Sequence, residues 1–327
     1  MNMNKMILSI MIFMTTITSI SSPNWLGMWM GMEMNMMMFI PFISKMKNIK
    51  ASKAMMIYFL TQSIGSILFL FSILMNSIMM TFFLNNNLFS IALMISLLLK
   101  LGIAPFHMWF PEMMSNLNWM ESWVLMTWQK VIPLFMISNT LNNMLYIIII
   151  MSSIISSVGG LNTSSMRKIM AYSSISHMNW ILMMMVNQTQ WFNYFILYMI
   201  MNLMIVLFFQ LNNLYFINQV NNTINSPMEK LIYSSLLLSL GGLPPFIGFL
   251  PKWIAMQAMI NNNMYMIMLI MVMTSLITLF FYMRITLPLL MNYSIMNKWN
   301  NTKNKKWIKM ILIMNLMLPL ISIMNYY

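Results

Sequence analysis

The 327-residue chain contains no cysteine and no aspartate; its four acidic residues are Glu33, Glu112, Glu121 and Glu229. Without thiols there is no disulfide, no thiolate zinc site and no cysteine-held iron–sulfur cluster. Its two histidines, His107 and His177, stand far apart in the chain and make a poor metal site. Glycine is scarce, with nine residues, and no Gly-rich phosphate loop or dinucleotide fingerprint is present. These absences argue against electron transfer on this polypeptide. Charge is scarcer still: 6% of residues are charged, against about a quarter in soluble domains. With 60% hydrophobic residues, the chain belongs to the membrane class. Methionine, with 51 residues, is the main apolar filler, an adaptable packing residue rather than a ligand set.

Apolar runs of about 20 residues, the length that crosses a bilayer as helix, predict an all-α polytopic protein with about eleven spans. They fall at 3–20, 25–43, 55–75 (with a possible extension to 84), 88–106, 121–139, 144–161, 169–187, 192–211, 230–260, 264–289 and 307–325. The first run, with Lys5 before it, imitates a signal peptide. Its Thr and Ser content and the spans that follow at once favour a retained helix. Alternating eleven spans puts Lys5, Lys45, Lys47, Lys50, Lys53, Arg167, Lys168, Lys230, Lys298, Lys303, Lys305, Lys306 and Lys309 on one face, with Arg284 close to it and no cation on the other. Positive loops mark the inner face, so the N-terminus lies inside and the C-terminus outside. The formal charge of +13 is then an orientation signal, and nucleic acid is not an expected partner.

Four charges remain that no loop absorbs: Glu33, Lys100, Lys130 and Lys252. A Lys at mid-bilayer costs roughly 2.5–3.5 kcal/mol. Lys100 lies about 18 Å into its span by helical rise, too deep for easy snorkelling to the interface. A static Glu–Lys pair that locks helices together is the plainer alternative; a proton relay is the functional one. Lys100 also stands beside a helix break, Gly102-Ile103-Ala104-Pro105-Phe106, with Pro111 after it. The pattern returns 140 positions later as Gly242-Leu243-Pro244-Pro245-Phe246 and Pro251, followed by Lys252. Proline removes a backbone donor, tolerable at mid-membrane only against protein or a wet cavity. The shift spans five helices, an odd number, so the copies are expected to be inverted. That divides a single membrane domain (1–327) into repeat one (about 3–139), repeat two (about 144–289) and a last helix (about 307–325). Inverted repeats with broken helices are a pattern of ion-coupled transporters.

The segments Lys100–Pro111, Met126-Thr127-Trp128-Gln129-Lys130-Val131-Ile132-Pro133, Ala171-Tyr172-Ser173-Ser174-Ile175-Ser176-His177, Gly241–Trp253 and Trp25–Glu33 resemble the chain 2 family of mitochondrial NADH:ubiquinone oxidoreductase, respiratory complex I, most closely its insect form. The resemblance runs essentially full length, and the composition looks like an A+T-rich gene read with a mitochondrial code. It implies an antiporter-like, proton-translocating subunit of the inner mitochondrial membrane with no redox centre. NADH, FMN, iron–sulfur clusters and ubiquinone are expected on other subunits. Partners are other complex I membrane subunits, neighbouring antiporter-like subunits among them, and lipids such as cardiolipin. It further implies roles: Glu33 modulating Lys100, Lys100 as the principal proton-holding base, Lys130 continuing a hydrated axis, Lys252 handing protons on, and His177 as a weaker relay candidate whose alternative is a buried imidazole bonded to serine. Family members commonly carry Asp where Glu112 stands; Glu112 is read as an interfacial or capping group. Glu121 and Glu229 are read as helix-start charges that stabilise the dipole.

The same residues would also suit a stand-alone cation/proton antiporter, while a non-pumping spacer would not need them. The topology predicts that, in intact inner-membrane vesicles of matrix-in orientation, a tag on the N-terminus stays protected from an impermeant reagent while one on the C-terminus is labelled. Both termini reacting from one face would refute the span count.

Overall fold

A computed structural model describes residues 3–44, 48–80, 87–223, 226–291 and 315–316. These residues form helices α1 (Met3–Ser21), α2 (Trp25–Ile43), α3 (Ile49–Met80), α4 (Asn87–Leu101), α5 (Trp109–Asn116), α6 (Trp119–Met126), a 3-10 turn (Trp128–Lys130), α7 (Val131–Ser138), α8 (Met144–Leu161), α9 (Met166–Val186), α10 (Trp191–Leu211), α11 (Ile217–Thr223), α12 (Pro227–Gly241), α13 (Phe249–Asn261) and α14 (Tyr265–Met291). They divide into two compact units, Met1–Ile148 and Ile149–Tyr327. Among the described residues, four helices are long and apolar enough to cross a membrane by themselves: Ile49–Asn76, Met144–Leu161, Trp191–Leu211 and Tyr265–Leu289. Lys45, Lys47, Lys298, Lys303, Lys305, Lys306 and Lys309, the extension of the third span over 81–84, and the span at 307–325 apart from 315–316 lie outside the described residues.

Serine and threonine are frequent in these helices because each can bond to its own helix. Ser153, Ser156 and Ser157 of α8, and Ser173, Ser174 and Ser176 of α9, all donate to the carbonyl three residues back. That satisfies the hydroxyl where no water can.

The two breaks are built alike. Gly102 (φ 68°) and Gly242 (φ 80°) adopt the left-handed conformation that closes a helix. The Ile103 N–H reaches back to Leu98 O at 3.2 Å and the Gly102 N–H to Leu99 O at 3.2 Å; Leu243 to Leu238 O at 3.3 Å and Gly242 to Ser239 O at 3.0 Å repeat that Schellman geometry. Turns closed by Phe106 N to Ile103 O and Phe246 N to Leu243 O, both 3.0 Å, follow. Both ends of α4 and α12, and the starts of α5 and α13, recur at the 140-position shift read from the prolines.

Several expectations change. The span at 88–106 ends at Leu101, because Gly102 terminates it. The span at 230–260, expected to be interrupted at its prolines, is two helices, α12 and α13, with the break between them. The span at 121–139 begins at Trp119 and is not continuous: it loosens into the 3-10 turn, where Pro133 can donate no bond to Gln129 O. The span at 55–75 starts earlier, at Ile49, so Lys50 and Lys53 lie on its first turns rather than in a loop. Lys230 is a buried residue of the first turn of α12 rather than a loop cation. The short helix α11 was not anticipated.

Contacts at helix ends and turns join groups that alternation assigns to one face. Lys53 pairs with Glu112 at 2.7 Å and Lys5 with Glu121 at 2.7 Å in the first unit. In the second, Arg284 donates to Leu161 O and Thr163 O, Ser165 bridges Phe216, and Arg167 lies over the Tyr215 ring. Lys53–Glu112 is exposed and contributes little. Lys5–Glu121 is different: the Glu121 side chain is only 5% exposed, and it also accepts from Asn118 N at 3.2 Å and Asn118 Nδ2 at 3.1 Å. Lys5 in turn lies 5.4 Å from the Phe42 ring centre. Glu121 is therefore more than a dipole-stabilising charge; it ties the start of α1 to the start of α6. Glu121→Ala strands a partly buried ammonium and removes the α6 start contact, with an expected cost of about 1–3 kcal/mol. The thermal unfolding midpoint of the detergent-solubilised protein should shift to lower temperature, while Lys53→Ala leaves it unmoved.

Candidate functional site

In the first unit α2, α3, α4 and the 3-10 turn converge on a polar chamber. Glu33, Asn35, Tyr58, Gln62, Lys100, Gln129 and Lys130 line it, with Met32, Trp109 and Phe110 supplying apolar wall. Its free volume is about 20 Å³, room for about one water molecule. Three of the five expected site residues, Glu33, Lys100 and Lys130, are thus brought to one place. Lys100 and Lys130 are 8% and 2% exposed, so neither amine snorkels to the protein surface.

The stem of Lys100 packs on Gly65, where a β-carbon would come within 2.9 Å of Lys100 Cγ. Its ammonium meets soft partners, Met32 Sδ at 3.4 Å and the Phe69 ring centre at 5.9 Å. The main-chain carbonyls of that last turn are satisfied by neutral donors: Trp109 Nε1 on Leu99 O at 3.2 Å and Gln62 Nε2 on Lys100 O at 3.2 Å. Lys130 places its ammonium 4.4 Å from the centre of the Phe110 ring. Glu33 interacts electrostatically with Lys100 and Tyr58. No ion pair within 4.0 Å forms between Glu33 and Lys100, so a static lock does not describe this pair.

Asn35, Tyr58, Gln62 and Gln129 are chamber residues that sequence reasoning left out. Tyr58 Oη donates to Gln129 Oε1 at 3.1 Å, Asn35 Nδ2 donates to the same oxygen at 3.0 Å, and Gln129 Nε2 returns a bond to Asn35 Oδ1 at 3.3 Å. The available signal was the polar residue inside an apolar span; their mutual pairing, 94 and 71 positions apart in sequence, leaves no periodic trace.

The other two expected residues belong to the second unit. Lys252, 6% exposed, donates to Gly241 O at 2.8 Å and Leu240 O at 3.4 Å. Its ammonium caps the last turn of α12, where a cation is favoured by the helix dipole. His177 is buried on α9, its Nδ1 3.0 Å from the Tyr194 hydroxyl and its ring centre 5.1 Å from that of Tyr198. That hydroxyl belongs to a tyrosine of α10. His107 precedes α5, and Glu112 lies in its first turn, in the surface pair with Lys53.

Amines, a phenol and one carboxylate around a water-sized space are groups that hold and pass protons, and the amides among them orient hydrogen bonds. Among the described residues no three acidic or imidazole side chains gather to hold a metal ion.

Residues 22–278 match the family model described as NADH:quinone oxidoreductase/Mrp antiporter, TM. The chain is 44% identical over 312 residues to NADH-ubiquinone oxidoreductase chain 2 of Anopheles gambiae, covering 92% of this chain and 91% of that protein. It is 47% identical over 315 residues to chain 2 of Aedes aegypti, covering 94% and 92%. Its fold is similar to a chain of Thermus thermophilus respiratory complex I solved with bound aureothin, with a TM-score of 0.78 at 16% identity over 95% of this chain and 75% of that one. Sequence and fold agree: the chain belongs to the NADH:quinone oxidoreductase/Mrp antiporter membrane family, within its NADH-ubiquinone oxidoreductase chain 2 group.

Proposed function

We propose that this chain is an antiporter-like core subunit of the proton-pumping NADH:ubiquinone oxidoreductase of the mitochondrial inner membrane. Redox chemistry occurs on other subunits, which carry the NADH, FMN, iron–sulfur and ubiquinone sites. Here the energy is spent on changing charge and hydration along Glu33, Lys100, Lys130 and Lys252, with His177 as a lesser member. The observation that carries this reading is the chamber: a carboxylate and two buried amines line one water-sized space without a direct ion pair between Glu33 and Lys100. A locked pair would be structural. A separated one leaves the Lys100 proton free to move when Glu33 or the water moves.

Eleven spans in two inverted repeats, about 3–139 and 144–289, with a last helix at 307–325, would place the N-terminus in the matrix and the C-terminus toward the intermembrane space. Neighbouring antiporter-like subunits and lipids such as cardiolipin would flank it. Lys252 has two duties in this scheme, since its ammonium also caps α12. Removing it disturbs the break as well as the relay, which makes Lys100 the cleaner test.

In the assembled complex, Lys100→Met should lower the protons moved per electron while the subunit still incorporates. A spacer would leave that ratio normal. A stand-alone antiporter would exchange cations for protons when reconstituted by itself, whereas a complex subunit should be silent alone.

A further inference from the structure

The chamber holds about one water. In so small a space, a side-chain hydroxyl on the wall is suited to carry a proton between Lys100 and Lys130. Tyr58 is the hydroxyl that lines the chamber, and it interacts electrostatically with Glu33. Its one proton is committed: it is donated to Gln129 Oε1 at 3.1 Å. That oxygen is held in place from the other side, because the Gln129 and Asn35 amides bond reciprocally at 3.0 and 3.3 Å. An amide oxygen is a poor proton carrier at neutral pH, so the bond is a stop. In this arrangement the Tyr58 oxygen can accept a hydrogen bond from the chamber water but has no proton left to give to it.

We propose that Gln129 is a positioning residue that parks the Tyr58 proton and so insulates the Glu33–Lys100 side of the chamber from Lys130. The inference rests on the relay reading above. Gln129 and Lys130 are adjacent on the 3-10 turn, so a shift of that turn that moves Lys130 also withdraws the amide from Tyr58. Short 3-10 segments inside helices are common hinge points. Once released, the phenol turns its O–H toward the chamber water. One proton leaves Tyr58 Oη through that water to the Lys130 amine while another arrives on the same oxygen from the Lys100 ammonium. Tyr58 is neutral before and after, Lys100 has lost one proton and Lys130 has gained one. The polar trio is then a valve, closed in the state described here.

The test uses inner-membrane vesicles that carry the intact complex. Gln129→Leu keeps the bulk and removes both bonds, leaving Tyr58 free to turn. The expected result is a proton back-leak: NADH oxidation persists, the gradient collapses, and an imposed pH difference decays faster without NADH. Adding Tyr58→Phe to Gln129→Leu should abolish the leak, because the rotor is gone. Asn35→Leu, which removes the anchor of the amide and leaves residue 129 untouched, should leak like Gln129→Leu and serves if that variant fails to assemble. Vesicles that stay tight with Gln129→Leu or Asn35→Leu overturn the valve. So does a double variant that leaks as fast as Gln129→Leu. If Lys100→Met lowers protons per electron while Gln129→Leu changes nothing, the valve fails and the relay stands. If Lys100→Met leaves the ratio normal, the relay itself has failed.

Discussion

Buried amines are the constraint to which the first unit is fitted. An unpaired ammonium there is costly, and the usual remedy is a carboxylate in contact. The chain uses a different remedy at Lys100: a thioether at 3.4 Å, an aromatic face, a helix break and a chamber with space for one water. Lys130 rests on the Phe110 ring. Cation–π and sulfur contacts are weaker than an ion pair, so they hold the protonated form less firmly than a carboxylate would. Glu33 is near enough to be felt but not near enough to lock.

The breaks follow from the same constraint. Ending a helix inside a membrane exposes carbonyls that water cannot reach. Gly102 and Gly242 turn the chain so that backbone N–H groups satisfy two of them in each case. Tight packing against small residues does the rest, since Gly65 lets the aliphatic stem of Lys100 lie against α3.

Much of this was legible from the chain. Two span boundaries, 25–43 and 144–161, coincide with α2 and α8, and both breaks were marked by their glycine and proline pairs. Those signals are local: a run of apolar residues, or a backbone that cannot continue a helix. The break before Val131 was missed because Pro133 lies near the start of a following helix, where proline is tolerated and reads as continuity. The Lys5–Glu121 pair and the Asn35–Gln129–Tyr58 trio were missed for another reason. Each joins residues at least 71 positions apart, and only packing decides which polar groups in different spans meet. Lys230 opened the span at 230–260 and was counted among the cations of one face, but its burial depends on what the second unit packs around the start of α12.

The two breaks share a backbone but not a cap, and the difference bears on which lysine is mobile. At the end of α4 the carbonyls of Leu99 and Lys100 take their side-chain bonds from an indole and an amide, Trp109 and Gln62. Both donors are neutral at every physiological pH, so the break survives whatever Lys100 does with its proton. At the end of α12 the carbonyls of Leu240 and Gly241 take theirs from the Lys252 ammonium. Deprotonating or displacing that amine weakens the cap, so a charge change at Lys252 is coupled to the backbone of its own break. The shared frame thus carries two different uses of one residue type: at Lys100 a proton can come and go with the backbone unmoved, and at Lys252 it cannot without the helix end responding.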